Sequence, residues 1–101
     1  MEHIDATFDL FRNTNFKYSE RVILLYIAYA LDKDASRDPR GIQLSYRRLS
    51  DELRTGSSNI YRVLKLLRDR GYLESTGIGR PTGSEAAHWR LSFFTRPELA
   101  V

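Results

Sequence analysis

The 101-residue chain has no cysteine and only two histidines. Without thiols, neither a disulfide framework nor a thiolate metal site can form. His3 and His88 lie far apart in sequence and accompany no nucleophile motif, and the carboxylates are scattered as ordinary surface charge. We therefore expect no enzyme activity, no metal site and no cofactor.

Long apolar runs are also missing. The apolar run Val22–Leu31, VILLYIAYAL, is shorter than the roughly 20 residues that a membrane-spanning helix needs. Residues 1–10 include acidic side chains and lack the apolar segment of a secretory signal. We expect a cytoplasmic protein with no membrane partner. The length and the lack of internal repeats predict one domain, residues 1–101.

The charge is only mildly basic, with a net value of +3 and a sequence pI of about 9.4. Residues 1–44 hold six Lys or Arg against seven Asp or Glu, whereas residues 45–101 hold ten against six. The positive excess therefore lies in the C-terminal half, as expected if that half binds nucleic acid. A solvated charged face would produce the same imbalance.

The stretch around residues 60–67 has the spacing of an amphipathic helix. Apolar residues recur at i, i+3, i+4 and i+7, which places them on one face of a 3.6-residue period. These residues are Ile60, Val63, Leu64 and Leu67.

The other face of this helix and its flanks are polar. Ser, Asn and Arg side chains can read base edges, and Lys and Tyr side chains commonly hold phosphates. Any surface helix also has polar residues opposite its apolar stripe, so the flanking segments must decide between the two interpretations. We assign base reading to Ser57, Ser58, Asn59 and Arg62, and phosphate contacts to Tyr61 and Lys65.

The flanking residues favour a helix-turn-helix unit. Leu49 and Leu53 form an i, i+4 apolar pair on a preceding helix, and only residues 54–56 separate the two helices. We expect Gly56 to adopt a backbone conformation that other residues resist. Thr55, Gly56 and Ser57 are each possible caps of the second helix.

Arg70 and Gly71 suit the end of the second helix. A cation near the helix C-terminus interacts favourably with the dipole, and glycine is common just beyond it. The helix-turn-helix is therefore expected to span residues 45–71.

The run LSYRRLSDELRTGSSNIYRVLKLLRDRGYLES resembles the core of winged helix-turn-helix proteins. Together with the preceding KYSERVILLYIAYAL, it is most similar to small winged-helix domains of phage and plasmid replication and regulatory proteins, over residues 17–94. Departures are Gly56, where the family often has a capping Ser or Thr, and Asn59, where it often has Thr.

This resemblance implies a mainly α fold with a small β-wing, in the order α-α-β-α-α-β-β. The wing would span residues 72–94. The resemblance also implies that the start of the first helix of the pair approaches the DNA backbone, where we place Tyr46 and Arg47.

Two further helices are predicted before residue 34. Ile4, Phe8 and Phe11 are spaced i, i+4, i+7 in a short helix within residues 1–14, which is a possible dimerisation element. A second helix opens near Ser19 and runs to about Lys33. Because its centre is apolar all round, it must be covered by the helix-turn-helix unit and by either the first helix or a second copy. We favour a twofold homodimer, which would place two recognition helices about 34 Å apart.

The remaining segments predict strands and loops. Residues 41–44, 72–76 and 87–94 read as strands, and Trp89, Leu91 and Phe93 alternate with polar residues as one buried face would. Residues 32–41 read as a polar loop that lacks the glycine and glutamate of a calcium loop.

The loop GIGRPTG leads into a strand rather than a helix, which argues against nucleotide binding. Arg80, set in Gly79-Arg80-Pro81, resembles minor-groove hooks and is assigned to DNA contact.

These features together predict a sequence-specific double-stranded DNA-binding protein, specifically a small dimeric transcriptional repressor. One alternative is a plasmid or phage replication or partition protein that binds DNA. A second alternative is a winged-helix protein-interaction module, which the apolar helix and the modest net charge favour.

Overall fold

The structure is a computed structural model that describes residues 2–34, 41–76 and 87–95. It is mainly helical with a small antiparallel sheet of strand order β1-β3-β2. The predicted order of elements is confirmed, with one short helix added at the end. The elements are α1 (Glu2–Asn13), α2 (Tyr18–Lys33), β1 (Ile42–Leu44), α3 (Tyr46–Leu53), α4 (Ser57–Asp69), β2 (Leu73–Thr76), β3 (Ala87–Leu91) and α5 (Ser92–Thr95).

Helix α2 lies at the centre of the core, as its apolar sequence predicts. Ile23, Leu24, Ile27 and Ala28 are buried, and α2 packs against α1, α4 and the sheet. These contacts with α1, α4 and the sheet bury one side of α2. None of the described helices combines the length and the apolar composition needed to cross a membrane.

Helix α1 packs along α2 and is capped by it. The Asp32 carboxylate accepts the backbone N–H groups of His3 at 2.9 Å and Ile4 at 3.0 Å, and the His3 ring lies 2.9 Å away. A carboxylate at a helix N-terminus satisfies N–H groups that have no partner within the helix. Phe8 is 47% exposed whereas Thr7 is buried, so the face that α1 turns to the core is displaced from the predicted one.

The sheet confirms the predicted pairing of residues 41–44 with the later hairpin. Strand β1 pairs with β3 through Ile42 and Trp89, and β2 pairs with β3 through Glu74 and Arg90, whose side chains form an ion pair at 2.6 Å. Gly41 has a φ of 102°, and an added Cβ would lie 2.1 Å from the carbonyl oxygen of Trp89. Only glycine therefore fits where the chain enters β1.

The return strand is shorter than predicted. It ends at Leu91, and residues 92–95 form a helical turn instead of continuing to Phe94. The change of direction is fixed at Ser92, because its N–H donates to the Tyr72 carbonyl at 3.2 Å and its hydroxyl donates to the Gly71 carbonyl.

Candidate nucleic-acid interface

The proposed recognition helix, α4, has the predicted buried face. Ile60, Val63, Leu64 and Leu67 are between 0% and 3% exposed. Leu49 of α3 is also fully buried, and Leu53 is half-buried. The apolar faces of α3 and α4 therefore pack into the same hydrophobic core.

The turn between α3 and α4 differs from the prediction. Arg54, not Gly56, has the left-handed conformation, with φ 51° and ψ 49°. Gly56 is extended, and its carbonyl accepts the first helical hydrogen bond, from Ile60 N–H at 3.1 Å. Gly56 is therefore the N-cap, which settles the choice among residues 55–57. The reversal falls two residues earlier because the Thr55 N–H closes the end of α3 on the Ser50 carbonyl.

The end of α4 is confirmed at Arg70 and Gly71. Gly71 has φ 86°, the Tyr72 N–H donates to the Leu67 carbonyl at 2.9 Å, and the Gly71 N–H donates to the Arg68 carbonyl at 3.0 Å. These two hydrogen bonds form a Schellman motif. The motif directs the chain from α4 straight into β2.

Helix α4 carries six of the nine residues assigned to DNA contact. Ser57, Ser58, Arg62 and Lys65 are exposed on this helix. Asn59 and Tyr61, at its flanks, are half-buried. Leu66 and Asp69 are also exposed, so the accessible side chains of α4 combine two hydroxyl groups and two cations with one apolar side chain and one carboxylate. Such a surface has donors for base edges and charge for phosphates.

Tyr46 does not lie on that surface. Its side chain is only 7% exposed and contacts the rings of Tyr61 and Trp89, with centroids 5.6 and 6.5 Å away. Burial raises the pKa of the Tyr46 phenol, Tyr61 adds to this effect, and Arg68 opposes it. The assignment of Tyr46 to a phosphate contact is therefore not supported. At the first turn of α3, the Tyr46 ring points inward and fills the space between α4 and the sheet.

The other residues at the start of α3 are accessible. Arg47 and Arg48 are both exposed, and Ser45 caps the helix by accepting the Arg48 N–H at 3.0 Å. Both arginines line a shallow depression of about 360 Å³ together with Asp51 and Glu52. The two carboxylates balance the two guanidinium groups, so this outer surface of α3 is electrically mixed.

A chain of side-chain hydrogen bonds runs along the first turns of α4. The Asn59 Nδ2 donates to Thr55 Oγ1 at 3.1 Å, and the Arg62 Nη2 donates to Asn59 Oδ1 at 2.7 Å. The Ser50 hydroxyl donates to the Thr55 carbonyl. These contacts join the turn, the start of α4 and the exposed Arg62 in one network.

Sequence reasoning preferred Arg47 to the neighbouring Arg48, although both are exposed, and it did not single out the Thr55 side chain as a partner of Asn59. Thr55 precedes Asn59 by four residues, a spacing that brings side chains together in and around a helix. That spacing was available in the sequence, whereas the exposure of both Arg47 and Arg48 depends on how α3 packs.

A second surface lies on α2, away from α4. Val22, Leu25, Tyr26 and Tyr29 recur at i, i+3, i+4 and i+7 and are half-buried or exposed, with Tyr29 42% exposed. Tyr18, one turn earlier, is 83% exposed. We call these five residues the α2 stripe. Tyr18 and Tyr29 are its most accessible members, whereas Tyr26 also packs against the core.

Two predicted features lie outside the described residues. Arg80 and the glycines around it belong to residues 77–86, and most of the polar loop belongs to residues 35–40. Within the described ranges, no cluster of three or more His, Asp or Glu side chains is arranged to hold a metal ion.

Comparisons with protein-family models, curated protein sequences and solved structures found no match to this chain.

Proposed function

We propose that the chain is a winged helix-turn-helix protein that binds double-stranded DNA sequence-specifically, with α4 as the recognition helix. The observation that carries this proposal is the division of α4 into a buried apolar face and an exposed face bearing Ser57, Ser58, Arg62 and Lys65. Arg62 and the serines would read bases, and Lys65, Tyr61 and Arg47 would contact phosphates.

The surrounding elements support the same proposal. Three residues separate the end of α3 from the start of α4, and the Schellman turn leads from α4 into β2 of a three-stranded antiparallel sheet. A β-hairpin beside a recognition helix can contact the adjacent DNA backbone or minor groove. Arg80 lies in residues 77–86, outside the described residues, and its predicted DNA contact remains part of this proposal.

We further propose that two copies associate through the α2 stripe to form a dimeric transcriptional repressor. Apolar and aromatic side chains at helical spacing on an accessible face are typical of a protein-interaction surface. The same stripe supports the alternative of a winged-helix protein-interaction module. A replication or partition role uses the same DNA contacts and would differ in the arrangement of binding sites.

Selection from a random duplex pool, followed by titration at several salt concentrations, tests the proposal. A DNA-binding protein should enrich a defined sequence and lose affinity steeply as salt rises, because bound phosphates release counterions. A palindrome with half-sites one turn apart would support the dimeric repressor, and tandem repeats would support replication or partition.

Arg62→Ala supplies the residue-level test. This substitution should weaken binding to the selected duplex site by about 1 to 3 kcal/mol. Arg12→Ala is the matched control, because Arg12 is an exposed arginine on α1. Equal binding by wild-type protein and Arg62→Ala would remove Arg62 from base reading. Absence of salt-dependent duplex binding by the wild-type chain would favour the protein-interaction module.

A further inference from the structure

Asn59 is held by side chains on both sides of it along α4. Its Nδ2 donates to Thr55 Oγ1 at 3.1 Å, and its Oδ1 accepts from Arg62 Nη2 at 2.7 Å. Thr55 lies one turn before Asn59 and Arg62 one turn after it. The amide is therefore directed along the helix, with one polar end toward each neighbour.

This orientation does not suit direct base reading by Asn59. An asparagine that recognises adenine presents Oδ1 and Nδ2 together to the base edge. In this chain those two atoms already contact Thr55 and Arg62, and the side chain is half-buried at the flank of α4. Turning the amide to a base would break both contacts.

Arg62 is in the opposite situation. Its side chain is exposed, and the contact to Asn59 uses one of the five N–H donors of the guanidinium group. The remaining donors suffice for the bidentate contact that arginine makes with the O6 and N7 atoms of guanine. A guanidinium held on one side loses less rotamer freedom when it binds.

We propose that Asn59 is a positioning residue, which together with Thr55 orients Arg62 toward a guanine in the major groove. This inference rests on the proposed DNA-binding function. It predicts that the preferred duplex contains a guanine whose recognition depends on Arg62, Asn59 and Thr55 as one unit, with no separate adenine read by Asn59.

The test uses the full chain and the duplex that wild-type protein enriches most strongly from a random pool. Affinities are measured for that duplex and for single-base variants of it, with wild-type protein, Arg62→Ala, Asn59→Ala and their double variant. Thermal unfolding of each protein verifies that it folds. Asn59→Ala should lower the preference for the guanine read by Arg62 by about fivefold or more. The effect in the double variant should be no larger than that of Arg62→Ala alone, because residues acting as a unit are not additive.

Thr55 provides an independent check. Thr55→Val removes the hydroxyl acceptor while keeping the shape of the side chain, so it should weaken the same guanine preference. Thr55→Ser keeps the hydroxyl and should retain that preference. A purely structural role of Thr55 would lower the unfolding temperature without changing base preference.

Three results would overturn the inference. Asn59→Ala could change the preference at a base pair that Arg62→Ala leaves intact, the two substitutions could be additive, or Asn59→Ala could leave specificity unchanged. If wild-type protein enriches no sequence, the proposed function fails and this inference falls with it. Sequence-specific binding by wild-type protein that is insensitive to Asn59 overturns the inference alone.

Discussion

The guanidinium of Arg70 lies 3.5 Å from the carboxylate of Glu20, joining the end of α4 to the first turn of α2. The Glu20 side chain is 3% exposed, and its other oxygen accepts the Lys17 N–H at 2.8 Å. Arg70 also lies over the rings of Phe16 and Tyr72, at 5.7 and 5.5 Å from their centroids. This contact fixes the end of α4 against α2, the central helix of the core.

Removing Arg70 should therefore destabilise the fold. Arg70→Ala leaves the buried Glu20 carboxylate without its cation, and we expect the free energy of unfolding to fall by about 1 to 3 kcal/mol. Urea denaturation measures this change. In a Glu20→Gln background the same substitution should have a smaller effect, because no buried charge is then left without a partner. The uncharged amide can still accept the Lys17 N–H. Equal losses in the two backgrounds would show that the charge contact contributes nothing.

The left-handed residue in the turn offers a stabilising substitution. Arg54 has φ 51°, a conformation that is unfavourable for residues with a side chain. Arg54→Gly should raise the free energy of unfolding by about 0.5 to 1 kcal/mol, allowing for the greater freedom of glycine in the unfolded chain.

Gly71→Ala and Gly56→Ala complete that series. Gly71 has φ 86°, so Gly71→Ala should lower the free energy of unfolding. Gly56 is extended and an added Cβ would meet nothing within 4 Å, so Gly56→Ala should cost less stability than Gly71→Ala. Denaturation midpoints at constant slope provide the comparison. A loss of stability on Arg54→Gly would contradict the assigned turn geometry.

The Asp32 cap on α1 should make stability depend on acid pH. Burial raises the pKa of Asp32, but the hydrogen bonds from His3 and Ile4 and the charge of His3 outweigh this effect, so the net pKa is below the ordinary value of 3.8. A lowered pKa means that the contribution is present above pH 3.8 and is lost as the pH falls through the folded-state pKa.

Asp32→Asn tests this contribution, because it keeps one acceptor and removes the charge. We expect it to lower the free energy of unfolding by about 1 kcal/mol at neutral pH. The difference from wild-type protein should disappear at acid pH, and hydrogen exchange should locate the loss in α1. A difference that is the same at every pH would exclude ionisation of Asp32 as its cause.

The proposed dimer can be tested with two exposed aromatic residues on different helices. Tyr29 on α2 is 42% exposed and Phe8 on α1 is 47% exposed. If the α2 stripe is the interface, Tyr29→Glu should give a monomer in sedimentation experiments, because it introduces a buried charge. Phe8→Ser should leave the dimer intact. The reverse result would assign the interface to α1, and a monomeric wild-type protein would exclude the dimer.

Local spacing in the sequence was sufficient to predict helices α1 to α4, the order of the three strands and the buried face of α4, but not α5 or the end of β3 at Leu91. The apolar stripe from Ile60 to Leu67 and the helix end at Gly71 each depend on residues within one or two turns. Both can therefore be predicted from the sequence without knowledge of the fold. The position of the left-handed residue could not be predicted in the same way. Glycine is the residue type that usually adopts this conformation, which favoured Gly56, but the hydrogen bonds between Ser50 and Thr55 place the left-handed residue at Arg54.

The candidate site divides in the same way. The sequence by itself determined that α4 would be amphipathic and that its polar face would carry serines, Arg62 and Lys65. Only the tertiary structure decided that Tyr46 fills the core and that Asn59 and Tyr61 are half-buried at the flanks of α4. Helical periodicity fixes which side chains share a face, whereas burial and hydrogen-bond partners depend on the elements that pack against that face.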